Sequence, residues 1–155
     1  DPVEGTLLGT RVASQWMAHA PEVLAASASV ASALSALRRT RESALPVVDG
    51  GRFVGLVSSL RLAELTQEGG SLDSPLSGLP LIDEAVPDGA PPTEVLEALR
   101  RTGLQALPVL DNQRRVVGWV SERDLVDRMY RDQRRAIAAR TQTSWGSRLK
   151  ERRAR

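Results

Sequence analysis

The sequence predicts a mixed α/β (α+β) fold of two similar subdomains, each with the order strand, helix, strand, strand, helix. The main observation is a duplication, because ALPVVDGGRFVGLVSSLRL at 44–62 returns as ALPVLDNQRRVVGWVSERDL at 106–125. Each copy places two runs of strand-forming residues around a polar turn and then reaches a serine that suits a helix start. The preceding helical stretch is repeated as well, as VASALSALRRT at 30–40 and PTEVLEALRRT at 92–102. This period is longer than that of solenoid repeats, so we predict two subdomains.

The spacing between the two copies changes only at the hairpin turn. Leu34 is matched by Leu96, an offset of 62 (96 minus 34), whereas Gly55 is matched by Gly118, an offset of 63 (118 minus 55). Surface turns tolerate such differences in length. We divide the chain into a lead-in at 1–11, a first subdomain at 12–68, a linker at 69–78, a second subdomain at 79–133 and a basic tail at 134–155.

The first subdomain opens with apolar side chains at helical spacing over residues 11–20, which predict a short helix packed on the core. Residues 21–26 (PEVLAA) predict a first strand. Ser27 or Ser29 can cap the helix that follows, which is predicted to end at Arg41.

A hairpin follows in the first subdomain, with strands at 44–48 and 52–57. The Asp-Gly-Gly sequence between them suits a tight turn, because glycine adopts positive φ without strain. A second helix is predicted to run from Ser58 or Ser59 to about Thr66.

The second subdomain repeats this plan. Residues 79–86 predict a less regular strand, and two prolines at 91–92 open a helix, since proline is well tolerated in the first turn. Strands are predicted at 106–110 and 116–120, with Asn112 able to take positive φ in the turn between them.

The end of the chain is polar and strongly basic. The last helix is predicted to run from Glu122 to about Ala139, and we expect residues beyond Arg140 to be poorly ordered unless a partner holds them. The segment 134–155 has eight basic residues and one acid, a charge of +7, so the net charge of +2 leaves the body at −5. The body is therefore not a general binder of polyanions.

Composition excludes several classes of function. The chain has no cysteine and one histidine, His19, so we expect no metal site and no histidine-based catalytic constellation. Aromatic residues are scarce, which argues against a stacking platform for single-stranded nucleic acid. No apolar run is long enough to span a membrane. The chain begins at Asp1, so we expect it to be part of a longer protein.

The repeated pattern resembles the CBS domain, a family that occurs in tandem pairs. The resemblance covers residues 12–132 and rests on an apolar-Pro-Val-apolar strand and a Gly-apolar-Val-Ser turn, each present in both copies. It implies two subdomains packed sheet against sheet about a pseudo-twofold axis. It also implies clefts between them that bind ATP, ADP, AMP or S-adenosylmethionine. Such pairs regulate an attached enzyme, channel or transporter, often as dimers, and do not usually catalyse a reaction.

The family contacts ribose through a serine or threonine followed three residues later by aspartate, and Ser121 and Asp124 match that motif. The chemistry is suitable, because an ionised carboxylate can accept hydrogen bonds from two vicinal hydroxyls. A helix start also offers backbone N–H groups to phosphate oxygens. The same two residues fit a plain helix cap, so the spacing leaves both roles open and the resemblance favours the ligand role. In the first copy Arg61 stands at the position of Asp124. A guanidinium cannot accept a hydrogen bond from a hydroxyl, so we predict that no ribose binds there.

The resemblance places the base of the ligand against the other repeat. By position this implies contacts from Pro21, Val23, Glu42 and Ser43, none of which is aromatic. Arg123, inside the ribose motif, is expected either to reach ligand phosphates or to be a solvated helix residue.

The leading interpretation is a regulatory, non-enzymatic module that binds an adenine nucleotide, forms a homodimer and belongs to a larger protein. The run GWVSERDL at 118–125 is similar to the end of cytoplasmic CBS pairs on bacterial chloride channels, so the expected host is a membrane channel or transporter with this module in the cytoplasm. One alternative is a structural dimerisation module without a ligand. Another is a nucleic-acid regulator that uses the basic tail. The paired arginines elsewhere end helices, where they suit the helix dipole, and we expect no nucleic-acid partner.

Overall fold

The computed structural model describes residues 11–154, with side chains described over 11–139, so the first ten residues of the predicted lead-in lie outside it. The chain forms two copies of the order strand, helix, strand, strand, helix, as predicted. The elements of the first half are β1 (Leu24–Ala25), α1 (Val30–Thr40), β2 (Ala44–Asp49), β3 (Arg52–Ser58) and α2 (Ser59–Gln67). Those of the second half are β4 (Val86–Pro87), α3 (Pro92–Thr102), β5 (Ala106–Leu110), β6 (Val116–Ser121) and α4 (Glu122–Ala154).

Each half contains one three-stranded sheet with the same topology. In the first sheet β1 is parallel to β2, and β2 is antiparallel to β3. The second sheet repeats this with β4, β5 and β6. The central strands are apolar and almost entirely buried, because they are covered on both faces. The predicted fold class is therefore confirmed.

The two halves exchange the segments that precede their first strands. Ala18 lies ahead of β1, yet its N–H and C=O both bond to Trp119 of β6 at 2.9 Å. Ile82 lies ahead of β4 and pairs in the same way with Leu56 of β3, at 2.7 and 2.9 Å. Each half therefore completes a sheet edge of the other.

Side-chain packing follows the same exchange. One core cluster joins Phe53 and Leu56 of the first half to Val109 and Trp119 of the second. Near this cluster the Arg114 backbone C=O accepts a hydrogen bond from the Phe53 N–H at 2.8 Å. The Arg114 guanidinium lies 5.8 Å from the centre of the Phe53 ring. The halves thus share a hydrophobic core as well as backbone pairing.

The helix ends repeat between the halves, with one difference. Arg39 at the end of α1 pairs with Glu22, and Arg101 at the end of α3 pairs with Glu84 at 3.2 Å. The residue after α3 is Gly103, with φ of 71°, whereas the residue after α1 is Arg41, with φ of 59°. A left-handed conformation is unfavourable for a residue that carries a Cβ.

Two predicted local structures were wrong in extent. The helix expected over 11–20 is a single 3-10 turn at Ala13–Gln15. It does not continue because the backbone of Ala18 pairs with Trp119 of β6. The strand expected over 79–86 is reduced to β4, and Ile82 makes only an isolated bridge to β3. Pro80 has no N–H to donate, which limits pairing in this stretch.

Two further expectations are corrected. The residue with positive φ in the β5–β6 turn is Arg114, at 60°, and not Asn112. Asp111 fixes this turn, because its Oδ1 accepts from the backbone N–H groups of Gln113 and Arg115 at 2.9 Å. The last helix does not end near Ala139 and its backbone is helical to Ala154, since no proline interrupts it and good helix formers are frequent.

Candidate functional site

The start of α4 separates two clefts that meet at Asp127. The first, called here the Trp16 cleft, has a volume of about 260 Å³ and is lined by Trp16, Met17, Ala18, Asp124, Asp127, Arg128 and Arg131. The second, called here the Glu42 cleft, has a volume of about 590 Å³ and is lined by Arg41, Glu42, Gln105, Ala106, Ser121, Glu122, Arg123, Val126 and Asp127. The Glu42 cleft lies between the halves, because Arg41 and Glu42 follow α1 whereas its other lining residues belong to the second half.

Ser121 caps α4. Its hydroxyl oxygen accepts a hydrogen bond from the Asp124 backbone N–H at 3.0 Å. Ser58 caps α2 in the same way, accepting from the Arg61 N–H at 3.1 Å. The capping role that the spacing left open is therefore present at both helix starts, and it leaves the side chain of residue 124 or 61 to act separately.

The Asp124 side chain is an acceptor that the structure leaves available in the Trp16 cleft. Its carboxylate is exposed and has no hydrogen-bond or ion-pair partner among the described side chains. Arg61, at the same place in the first half, instead contacts Glu64, with 3.1 Å between Nη1 and Oε2. Asp124 can therefore accept from a ligand, whereas the first half presents a donor that is already paired.

Trp16 is a site residue that sequence reasoning missed. The helical spacing of apolar residues over 11–20 predicts packing on the core, and Trp16 does pack there, yet it also lines the cleft that contains Asp124. The segment exchange brings it there, and that exchange has no local signal in the sequence. Trp16 and Asp124 line the same cleft, so an aromatic side chain borders it.

The residues predicted to contact the base are not all brought together. Glu42 lines the Glu42 cleft with Ser121 and Arg123, but Pro21, Val23 and Ser43 line neither of the two clefts. The Ser43 C=O is engaged in the fold, since it accepts from the Ser59 N–H at 2.9 Å.

Glu42 has an altered acidity. It is partly buried, and this burial raises the pKa of its carboxyl above the usual glutamate value, because the charged form loses hydration. Arg41 lies beside it in the chain, and the charged residues Glu122, Arg123 and Asp127 line the same cleft.

The first half has a corresponding cleft of different chemistry, called here the α2 cleft. It has a volume of about 430 Å³ and is lined by α2 and by the exchanged segment 79–82. Most of its lining residues are apolar, and Arg61, Glu64 and Glu68 are the charged ones. It is the counterpart of the Trp16 cleft, but it has an arginine in place of Asp124 and no aromatic side chain among its described lining residues.

Within residues 11–139, no group of three or more histidine, aspartate or glutamate side chains is arranged to hold a metal ion. In the described part of the chain, no helix is long and apolar enough to cross a membrane.

Comparisons with known proteins agree with this architecture. A crystal structure of a CBS domain pair/ACT domain protein from Thermotoga maritima is 25% identical, with a TM-score of 0.67, and the match covers 78% of this chain and 98% of that one. A CBS domain protein from Pyrobaculum aerophilum complexed with AMP is 21% identical, with a TM-score of 0.65, covering 74% of this chain and 89% of that one.

Two further solved structures are similar. A CBS domain pair in complex with 5′-methylthioadenosine and S-adenosyl-L-methionine is 20% identical, with a TM-score of 0.66, and the match covers 81% of this chain and 99% of that one. The soluble part of a magnesium transporter is 22% identical, with a TM-score of 0.63, covering 78% of this chain and 49% of that one.

No curated protein sequence matches the chain. The family model described as the CBS domain matches it twice, over residues 12–67 and 75–131. These two matches fall on the two halves that share a core and exchange their leading segments. The chain belongs to the CBS domain family and is a tandem CBS pair.

Proposed function

We propose that this CBS pair is a regulatory module that binds one adenosyl ligand beside Asp124, and that it is not itself an enzyme. The observation that carries the proposal is the Asp124 carboxylate, which lines the Trp16 cleft and has no partner among the described side chains. Similar folds contain AMP in one case, and 5′-methylthioadenosine and S-adenosyl-L-methionine in another, which supports the ligand class.

The proposed arrangement assigns each part of the ligand to a surface. Asp124 accepts hydrogen bonds from the two ribose hydroxyls, each charge-assisted. The base lies in the Trp16 cleft, which the aromatic side chain of Trp16 lines. Phosphates, where the ligand has them, extend into the Glu42 cleft towards Arg123.

The α2 cleft is proposed to hold no ribose. Arg61 has no lone pair to offer a hydroxyl, and its guanidinium is paired with Glu64. If both halves had an aspartate at this position, the chain would have two equivalent sites. Because the first half has Arg61 instead, we propose one ribose site per chain.

Regulation requires that ligand binding reaches the rest of the protein. The helix α4 begins at the proposed site and continues without a break for 33 residues. A shift of its first turn on ligand binding would therefore be carried to its far end. We propose that this is how an attached domain receives the signal.

The proposed host is a larger membrane protein, a channel or transporter such as a chloride channel, with this module on the cytoplasmic side. The likeness of residues 118–125 to the end of such modules supports this, as does the similar fold of the soluble part of a magnesium transporter. A homodimer is proposed as the working assembly, since Val126 and Tyr130 of α4 are 55% and 60% exposed. A ligand-free dimerisation module is the second candidate, favoured by the same exposed side chains.

The test is a double-mutant cycle between Asp124 and the ribose. The affinities of AMP and 2′-deoxy-AMP are measured by titration calorimetry for the wild type and for Asp124→Asn. Wild type should bind AMP in the micromolar to millimolar range and 2′-deoxy-AMP about tenfold more weakly, because one charge-assisted hydrogen bond is lost. Asp124→Asn should weaken AMP more than tenfold and reduce the difference between the two ligands.

Arg61→Ala is the matched control, because it changes the equivalent residue of the other half. It should leave AMP affinity unchanged. If AMP, ADP, ATP and S-adenosylmethionine all give no binding heat with the wild type, the ligand-free dimerisation module becomes the better interpretation. If AMP binds but Asp124→Asn has no effect, the site lies elsewhere.

A further inference from the structure

We propose that the basic tail at 134–155 is a docking surface for a bilayer that contains anionic lipid, and that it lies on that surface without crossing it. The proposal goes beyond the adenosyl site and does not depend on it. Three observations carry it: the distribution of charge along α4, the point at which this helix leaves the body of the protein, and the apolar residues that stand among its basic ones.

The charge of α4 changes abruptly along the helix. Over residues 122–132 the basic and acidic side chains nearly balance, with a net charge of −1 (three minus four). These seven side chains are Glu122, Arg123, Asp124, Asp127, Arg128, Arg131 and Asp132. From residue 134 onward the net charge is +7, whereas the rest of the chain has −5 (+2 minus 7). The positive charge of the protein is therefore concentrated in the second part of one helix.

The change in charge coincides with the point at which α4 leaves the body. Leu125 is buried, Met129 packs against the core, and Asp132 is the last half-buried residue described. Every side chain from 133 to 139 is exposed, and the backbone remains helical to Ala154. At about 1.5 Å per residue, the 22 residues after Asp132 (154 minus 132) extend about 33 Å. The helix thus carries its basic part away from the surface on which its first turns pack.

The described part of the tail keeps its positive charge available. Arg134 and Arg135 are exposed and have no ion-pair partner among the described side chains. The Arg134 guanidinium lies 5.8 Å from the centre of the Tyr130 ring, and such a contact leaves the charge in place. At physiological ionic strength, exposed charges are screened from one another beyond about 8 Å. The tail can therefore attract an anionic surface although the body is acidic.

The apolar residues of the tail favour a lipid surface over a nucleic acid. Ile137, Trp145 and Leu149 are separated by eight and four residues, a spacing that recurs on one side of an α-helix. Lipid headgroups and nucleic acids both offer phosphates to arginine, but a bilayer also accepts large apolar side chains, and tryptophan suits its interface. Clusters of about four to eight basic residues on a helix are typical of segments that bind anionic lipid.

The experiment measures co-sedimentation of the chain with vesicles of phosphatidylcholine alone and of an equal mixture of phosphatidylcholine and phosphatidylglycerol. We expect the wild type to bind the mixed vesicles and to be released as the salt concentration rises, because salt screens exposed charges. Vesicles of phosphatidylcholine alone should bind little of the chain, since they have no net charge to attract the tail.

Two variants of identical net charge separate the tail from the protein as a whole. The tail variant combines Arg134→Gln, Arg135→Gln, Arg140→Gln and Arg148→Gln. The body variant changes four exposed arginines that have no ion-pair partner among the described side chains, by Arg11→Gln, Arg38→Gln, Arg52→Gln and Arg100→Gln. Each variant takes the net charge from +2 to −2 (2 minus 4). The affinity for mixed vesicles should fall at least about tenfold in the tail variant and about twofold at most in the body variant.

Circular dichroism shows whether the tail variant keeps its helix. Glutamine and arginine have similar helix propensities, so the helix content should match that of the wild type. Weaker binding by the tail variant then reports the loss of charge and not the loss of the helix.

Several results would overturn the proposal. Equal losses in the two variants would show that only net charge matters, and equal binding to both kinds of vesicle would show that anionic lipid is not required. Binding to duplex DNA without binding to the mixed vesicles would assign the tail to nucleic acid. Salt-sensitive self-association without vesicle binding would assign it to the acidic body of a second copy. No nucleotide takes part in these measurements, so a negative result leaves the adenosyl site unaffected.

Discussion

Ser58 and Ser121 occupy equivalent places at two helix starts, and each accepts a hydrogen bond from a backbone N–H three residues on. We predict that Ser58→Ala and Ser121→Ala each lower the free energy of unfolding by about 1 kcal/mol, because a helix N-cap is lost. Urea unfolding without ligand measures this. A Ser121→Ala variant as stable as the wild type would show that the serine acts only through the ligand.

Glu42 provides a residue-scale test of electrostatics. Because burial raises its pKa in the folded state, the folded protein holds this proton more tightly than the unfolded chain does. The contribution of the Glu42 carboxyl to the free energy of unfolding is therefore greatest at low pH, and it is lost as the pH rises through the pKa of the folded state. The charged groups that line the same cleft are Arg41, Glu122, Arg123 and Asp127.

We predict that Glu42→Gln is more stable than the wild type at pH 7 and that this advantage shrinks below the normal titration range of glutamate. The amide avoids the cost of burying a charge. Urea unfolding at a series of pH values measures the difference in free energy of unfolding between Glu42→Gln and the wild type. Glu68→Gln is the control, since Glu68 is an exposed glutamate. A constant difference at all pH values would contradict the role of ionisation.

At the scale of elements, the exchanged segments depend on glycine at the points where they cross the sheets. A Cβ on Gly55 would lie 2.5 Å from the Leu81 Cβ, and the backbone φ of Gly55 is 148°. A Cβ on Gly118 would meet the Met17 side chain, which can move more easily. The same close approach thus occurs in both halves but with different partners.

We predict that Gly55→Ala lowers the free energy of unfolding by about 1–3 kcal/mol, through overpacking and backbone strain. Gly118→Ala should cost less, since Met17 can adopt another rotamer. Gly89→Ala is the control, because no atom lies within 4 Å of its Cβ position. Equal stability of the Gly55 and Gly89 variants would contradict the close crossing of the segment.

The elements also show what a single sequence can and cannot predict. Both hairpins and the four helices were predicted, since strand-forming runs, turn residues and helix caps are local signals. The pairing of Ala18 with Trp119 was not, because nothing near residue 18 records a partner a hundred residues away. The same distinction applies to the site. Ser121 and Asp124 were predicted from a local motif, whereas Trp16 and Arg41 were not, because only the tertiary fold brings them to their clefts.

At the scale of the whole molecule, the two halves have one backbone plan and two different surface chemistries. The Trp16 cleft combines an aromatic wall with carboxylates and arginines, whereas the α2 cleft is largely apolar. We predict that calorimetry with ADP gives one binding site per chain. A stoichiometry of two per chain would mean that the α2 cleft also accepts nucleotide despite Arg61.

A crystal structure of the chain with ADP would show directly whether Asp124 holds a ribose in the Trp16 cleft. We predict that both ribose hydroxyls lie within hydrogen-bond distance of the Asp124 carboxylate, with the base beside Trp16 and no nucleotide in the α2 cleft. A nucleotide seated beside Arg61, or one whose ribose does not contact Asp124, would contradict it.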